Sequence, residues 1–212
     1  MGSTTRTIRL LLCDDHEIFT QSLAFTLDAE DDLDVCATAT SIEAAKLLFD
    51  RSPDVAIIDV RLVGEDGTAL VRWITDNHPS CRTVVLTAFE SDETFLSAYE
   101  AGAGAFVIKS TSCDHLISVI RDLVAGYQLI TPEYAEAAKV RISNRQLNRF
   151  EQLSASDQKL IALIAQGLPD RQIAAEMPLS LQTIRNRVSR LLHLFELTNR
   201  TQLALFASQH GS

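Results

Sequence analysis

The chain has 212 residues, a formal net charge of −9, 46% apolar residues and 22% charged ones. That length is generous for one domain and comfortable for two, and the composition excludes intrinsic disorder. No apolar stretch nears the roughly 20 residues of a membrane span, and Met1-Gly2-Ser3-Thr4-Thr5 lacks a signal-peptide core. Cys13, Cys36, Cys81 and Cys113 stand too far apart for a disulfide frame or a zinc cluster, so a cytoplasmic protein without a membrane partner is expected.

The charge is unevenly spread. Residues 1–130 carry nine basic against 21 acidic side chains, whereas residues 148–212 carry seven against five. An acidic front and a mildly basic back point to separate tasks.

In chain order, Ile8–Cys13 is an apolar run of strand type that ends on Asp14-Asp15. Phe19, Leu23 and Leu27 then recur at helical spacing across Glu17–Leu27. Leu33–Thr38 alternates loosely and reads as an edge strand, and Ser41 caps a following helix. Asp54–Ile58 is a short strand apolar on both faces, ending on Asp59. Gly67–Asn77 is helical, Arg82–Thr87 is a strand, and Ser91 opens a helix through Ala101. Gly104–Ile108 is the fifth strand, ending on Lys109, and a helix from Ser112 to Ala125 follows. Strands and helices alternating five times predict a parallel sheet covered on both faces.

Asp14-Asp15, Asp59, Thr87 and Lys109 therefore gather at the carboxyl edge of that sheet, where such folds hold ligands. Three neighbouring carboxylates repel one another unless a hard cation lies among them, which makes Mg2+ the expected cofactor. A carboxylate is a weak nucleophile toward phosphorus and needs electrostatic help with the charge on the transferring oxygens. Asp15 and Asp59, with Asp14 through water and a backbone carbonyl near Arg61, would hold the ion. Lys109 offers a point charge and Thr87 a hydroxyl to the other oxygens. An acyl phosphate on Asp59 would draw Thr87 inward and let Phe106 rotate into the space it leaves.

Cys13-Asp14-Asp15-His16, Ile57-Ile58-Asp59-Val60-Arg61-Leu62, Val85-Leu86-Thr87-Ala88 and Gly104-Ala105-Phe106-Val107-Ile108-Lys109-Ser110 resemble the receiver domain of two-component response regulators. The resemblance implies a flavodoxin-like doubly wound sheet of five parallel strands in the order 2-1-3-4-5. It also implies a phosphoacceptor at Asp59, a sensor histidine kinase as partner, and Mg2+ dependence. The chain departs from the family at Val63, where proline is usual, at Arg61, which faces an attacking water, and at Phe106, which lacks a tyrosine's hydroxyl. A hydrolase of the aspartyl-phosphate type needs a second aspartate where Arg61 stands. The chain is therefore read as no enzyme beyond phosphoryl acceptance and autodephosphorylation.

The receiver is placed at 7–126 and a linker at 127–147, with a short helix over Glu133–Val140 and a polar, basic stretch of few large apolar residues from Ile142 to Gln152. In 148–212, the stretch Leu153–Asp157 with Ser156 and Asp157 looks like a helix start and Gly167 marks its end, and Arg171–Met177 is a short helix stopped by Pro178. Ser180 caps a third helix, whose stripe Ile184, Val188, Leu191, Leu192 and Phe195 faces inward; Thr198-Asn199 opens a fourth. Four short helices, the third rich in arginine on its outer face, suggest an all-α helix-turn-helix domain.

Leu153-Ser154, the segment from Ile164 to Ala174, Leu179–Val188 and Asn199–Leu203 resemble the LuxR-type DNA-binding domain. With a receiver in front, that is the arrangement of the NarL/FixJ regulators. The resemblance implies promoter DNA as partner and the helix from Leu181 to Leu194 as recognition helix. Arg185 and Asn186 would reach base edges, and Arg187, Ser189, Arg190, Arg171 and Thr183 would lie near phosphates. The last helix, Asn199–Ser208, would form a homodimer on activation. Pro178, Arg187 and His193-Leu194 depart from the family, as does Glu196, which stands where glycine usually gives a left-handed helix cap. The alternative is a regulator whose C-terminal domain serves protein contacts or binds DNA independently of phosphorylation.

Overall fold

The computed structural model describes residues 6–88 and 91–210. The chain divides into two compact units, 1–139 and 140–212.

In the first unit the main sheet has five parallel strands: β1 (Ile8–Cys13), β2 (Leu33–Ala39), β3 (Val55–Asp59), β4 (Arg82–Thr87) and β5 (Ala105–Ile108). Their order is β2-β1-β3-β4-β5, as expected from the resemblance. The helices between them are α1 (Glu17–Leu27), α2 (Ile42–Leu47), α3 (Thr68–Asn77) and α4 (Asp92–Glu100), and α5 (Cys113–Val124) follows β5. Ser41, Ser91 and Ser112 cap α2, α4 and α5 through their side chains.

Alternation along the strands divides the core into two layers. Leu11, Cys13, Ala56, Ile58 and Val85 join Ile42 and Ala45 of α2 and Leu70, Val71 and Ile74 of α3. Leu10, Leu12, Val55, Ile57, Val84 and Leu86 join Leu23 and Leu27 of α1 and Leu116, Ile117 and Ile120 of α5. Successive strand residues point to opposite faces, so continuous apolar runs fill both layers. On the α3 side, Trp73, the chain's one tryptophan, lies 4.8 Å from the His78 ring and 5.1 Å from that of Phe49.

The parallel register brings the strand ends level. Cys13 pairs with Ile58, Asp59 with Leu86 and Thr87 with Ile108. The residues at or just after these ends therefore share one edge. A small antiparallel ladder, Arg61–Leu62 against Glu65–Asp66, follows β3. The sequence gives it no periodicity, because each strand has only two residues.

Helix α6 runs from Pro132 to Glu151, 20 residues. The expected short helix over 133–140 thus continues through the polar stretch after it. Its polar stretch carries Arg141, Arg145, Gln146, Arg149 and Glu151, which are good helix formers, and an exposed helix needs no apolar stripe. Pro132 opens it, and Glu136 and Lys139 pair along it at 2.7 Å.

The second unit packs α7 (Ala155–Ala165), α8 (Asp170–Glu176), α9 (Leu181–Leu194) and α10 (Arg200–His210). Leu160, Ile161, Ile164, Ile173, Ile184, Leu191, Phe195 and Leu203 form its core. Phe195 and Phe206 meet with ring centroids 4.6 Å apart. Met177 is extended, as the residue before Pro178 must be, and this ends α8 one residue before the expected position. Ser180 caps α9 by accepting the Thr183 N–H.

Position 196 takes the left-handed conformation although it is not glycine: Glu196 has φ 58°. Its N–H donates to the His193 carbonyl and that of Leu197 to the Leu192 carbonyl, the paired bonds of a Schellman cap. Arg149 donates to the Leu194 carbonyl at 2.9 Å and to the Glu196 carboxylate at 3.0 Å. The cap that glycine would make easily is thus made here against strain and fastened by Arg149.

Candidate functional site

The carboxyl edge of the main sheet gathers Asp14, Asp15, Asp59, Thr87 and Lys109. Asp14 follows β1 directly; its N–H is held by the Ala39 carbonyl of β2. Asp59 ends β3 and is 5% exposed, and Thr87 ends β4 and is 1% exposed. Lys109 follows β5, and its N–H donates to the Thr87 carbonyl at 2.7 Å.

Lys109 Nζ bridges two carboxylates, lying 2.7 Å from Asp59 Oδ2 and 2.5 Å from Asp14 Oδ2. It also sits 4.7 Å from the centre of the Phe19 ring. Burial pushes the ammonium pKa down most strongly, but the bonds and charges of Asp14 and Asp59 together outweigh it, so the net shift is upward. Asp59 Oδ1 accepts the Arg61 backbone N–H at 3.1 Å. The Cys13 thiol beneath is pushed up to about 12 by burial and then by the surrounding carboxylates, which keeps it neutral.

Ligand atoms of Asp14, Asp15, His16 and Asp59 lie within 4.8 Å of one another. Asp14 Oδ2 and Asp15 Oδ1 are buried and accept no hydrogen bond, although Lys109 and His16 approach them as charge partners. Three carboxylates at this spacing, with Asp14 Oδ2 and Asp15 Oδ1 met only by charge partners, fit a hard divalent cation. The Arg61 backbone, one place named for a ligand, meets the site through its N–H.

Three further residues meet the site, none of which the sequence assigns to it. His16 Nδ1 lies 2.9 Å from Asp15 Oδ1, and the His16 backbone N–H donates to Asp14 Oδ1 at 2.9 Å. The Val63 N–H donates to Asp15 Oδ2 at 2.9 Å. Gly67 abuts the site so closely that a Cβ there would lie 1.9 Å from the Asp59 carbonyl oxygen. His16 was readable as the residue next to the acidic pair; the other two are backbone effects that no side-chain pattern records. Phe106 is half-buried and packs edge-on to Phe95, centroids 5.5 Å apart.

In the second unit, Arg171, Arg185, Asn186, Ser189 and Arg190 are exposed, with Thr183 and Arg187 half-buried. Several are engaged within the unit. Arg190 donates to Asp157 Oδ2 at 2.7 Å, and Arg187 donates to Ser156 Oγ at 2.7 Å while facing Asp157 Oδ1 at 3.5 Å. Arg185 faces Asp170 at 3.8 Å, and Asn186 accepts from Gln182 at 2.9 Å. The Thr183 N–H is held by the Ser180 cap at 3.1 Å.

Among the described residues no helix is long and apolar enough to cross a membrane. The family profile of the response regulator receiver domain matches residues 10–121, and that of the bacterial regulatory proteins of the luxR family matches 151–207. The DNA-binding transcriptional activator DevR/DosR of Mycobacterium tuberculosis is 36% identical over 205 residues, covering 95% of this chain and 94% of that protein. The response regulator VraR of Staphylococcus aureus is 27% identical, covering 97% and 98%. The crystal structure of ChrA, a response regulator of a heme-sensing two-component system, aligns with a TM-score of 0.61 at 29% identity, covering 96% and 97%. The chain belongs to the two-component response regulators that carry a receiver domain followed by a transcription-regulating domain of the luxR family.

Proposed function

We propose that Asp59 accepts a phosphoryl group from a sensor histidine kinase and that this controls binding of the second unit to promoter DNA, in the cytoplasm. The observation that carries the reading is the Lys109 ammonium held between Asp59 and Asp14 at the common strand edge. Mg2+ bound by Asp14, Asp15, Asp59 and the Arg61 carbonyl would neutralise part of the charge on the transferring oxygens. Asp59 Oδ2 attacks phosphorus while the bond to the kinase's imidazole nitrogen breaks. Lys109 exchanges its pairing with Asp59 Oδ2 for one phosphoryl oxygen, and the Thr87 hydroxyl donates to another. Movement of Thr87 then lets Phe106 shift from its packing on Phe95, altering the surface around α4 and β5. Autodephosphorylation follows when water attacks the acyl phosphate past Arg61.

In the second unit, Arg185 and Asn186 are assigned to base edges, with Arg171, Thr183, Arg187, Ser189 and Arg190 assigned to phosphates. The last helix is assigned to a homodimer formed on activation. Incubation with Mg2+ and a small phosphoryl donor should add one phosphoryl mass to the wild type and none to Asp59→Asn; an unmodified wild type rejects the reading.

A second reading, protein contacts as the output, draws on the engagement of Arg185, Arg187 and Arg190 by Asp170 and Asp157. Gel shifts across a salt series separate the two, because DNA binding through phosphates weakens steeply as salt rises.

A further inference from the structure

Position 63 meets the site through its backbone alone. The Val63 side chain is 85% exposed, while its N–H donates to Asp15 Oδ2 at 2.9 Å. The residue lies in the two-residue turn between Leu62 and Glu65, which pair across the small ladder, and Gly64 completes the turn at φ 74°. Glu65 fastens the far side by accepting the Ile42 N–H at 3.1 Å. The Gly67 N–H closes the base on the Val60 carbonyl at 2.8 Å. The turn is thus fixed at three points, one of them a carboxylate of the acidic cluster.

We propose that the Val63 amide is a positioning group for divalent-cation binding, holding Asp15 so that it presents Oδ1 alone to the ion. Oδ1 is buried and accepts no hydrogen bond, with His16 Nδ1 beside it at 2.9 Å. An otherwise unrestrained carboxylate rotates between one-oxygen and two-oxygen presentation, and a fixed donor on Oδ2 selects the first. Groups that orient a metal's ligands commonly matter 10–100-fold in affinity. Proline has no N–H. A proline at this position could not make the contact that the valine makes here. The inference rests on the Mg2+ reading of the acidic cluster.

The test is calorimetric titration of the full chain with Mg2+, without a phosphoryl donor, comparing Val63→Pro with Val63→Ala, which keeps the N–H. Val63→Ala should bind like the wild type and Val63→Pro about tenfold more weakly. Equal affinities in the two variants overturn the proposal. Amide exchange on the 15N-labelled wild type gives a measurement independent of whether Val63→Pro folds. The Val63 amide should be protected with and without Mg2+, and exchange at the unprotected rate overturns the proposal. A wild type that binds no Mg2+ removes the metal reading and this inference with it. Mg2+ binding that is indifferent to the proline removes the positioning role alone.

Discussion

Arg190 on α9 donates to Asp157 on the first turn of α7 at 2.7 Å, and the Asp157 side chain is only 8% exposed. The same carboxylate oxygen accepts the Ser154 hydroxyl at 2.8 Å, while Arg187 faces the other oxygen at 3.5 Å. One buried acid therefore holds a helix cap and two arginines of the proposed recognition helix. Asp157→Asn keeps the shape and removes the charge. Weakening several charge-assisted bonds should lower stability by about 1–3 kcal/mol, read from chemical denaturation. The released arginines should raise nonspecific DNA affinity and steepen its salt dependence. An unchanged salt slope would show that neither arginine reaches phosphate.

Gly67 is needed for space rather than for backbone freedom, since a Cβ would lie 1.9 Å from the Asp59 carbonyl oxygen. Gly67→Ala must push the start of α3 away from the end of β3. Overpacking of this kind should cost about 2 kcal/mol or more. Urea unfolding should show it, and phosphoryl acceptance should slow because Asp59 moves with its own backbone.

Removing Lys109 leaves Asp14 and Asp59 facing each other without a counter-charge. Lys109→Ala should lose about 3–5 kcal/mol in metal-free buffer, the range for breaking a buried pair from one side. Millimolar Mg2+ should recover part of the loss. Absence of any recovery in a urea titration would argue against a cation at this edge.

Asp32 is held below its ordinary pKa first by its hydrogen bond from Arg121, which also pairs with Glu30. A folded-state pKa below the unfolded one means that the stabilisation is present above the ordinary carboxylate range. It is lost as pH falls through the depressed value. Arg121→Gln should therefore lower stability in the neutral region, leave the strongly acidic end little changed, and so flatten the acid limb between them. A parallel profile for the variant would refute the linkage.

Glu196 holds a left-handed φ of 58° beside Arg149. Left-handed strain for a residue with a Cβ costs about 1–2 kcal/mol. A partly exposed ion pair returns only about 0.2–1 kcal/mol. Glu196→Gly should therefore stabilise the second unit by up to about 1 kcal/mol, seen as a higher midpoint in thermal unfolding.

The strands and helices of the first unit were legible because burial on both sheet faces writes itself into the chain as short apolar runs and serine caps. The residues at the strand ends, Asp14, Asp59, Thr87 and Lys109, were legible for the same reason: the register makes them neighbours. Helix α6 was not, since a helix of good formers without a stripe looks like polar loop. Nor were the Val63 amide and the space at Gly67, which are contacts of backbone atoms that every residue type carries. The pairing of Arg187 and Arg190 with Asp157 spans about 30 residues. Their exposed-face spacing shows a charge but not which partner claims it.

The aromatic group on α3 has a practical consequence. Trp73, stacked near Phe49 and His78 beneath the Lys46 ammonium at 5.8 Å, is the chain's sole indole. Its emission reports unfolding of residues 1–139 and is silent about 140–212, whereas helical dichroism sums both. Recording the two signals together lets one denaturation experiment resolve the stabilities of the signal-receiving and DNA-facing halves without cutting the chain.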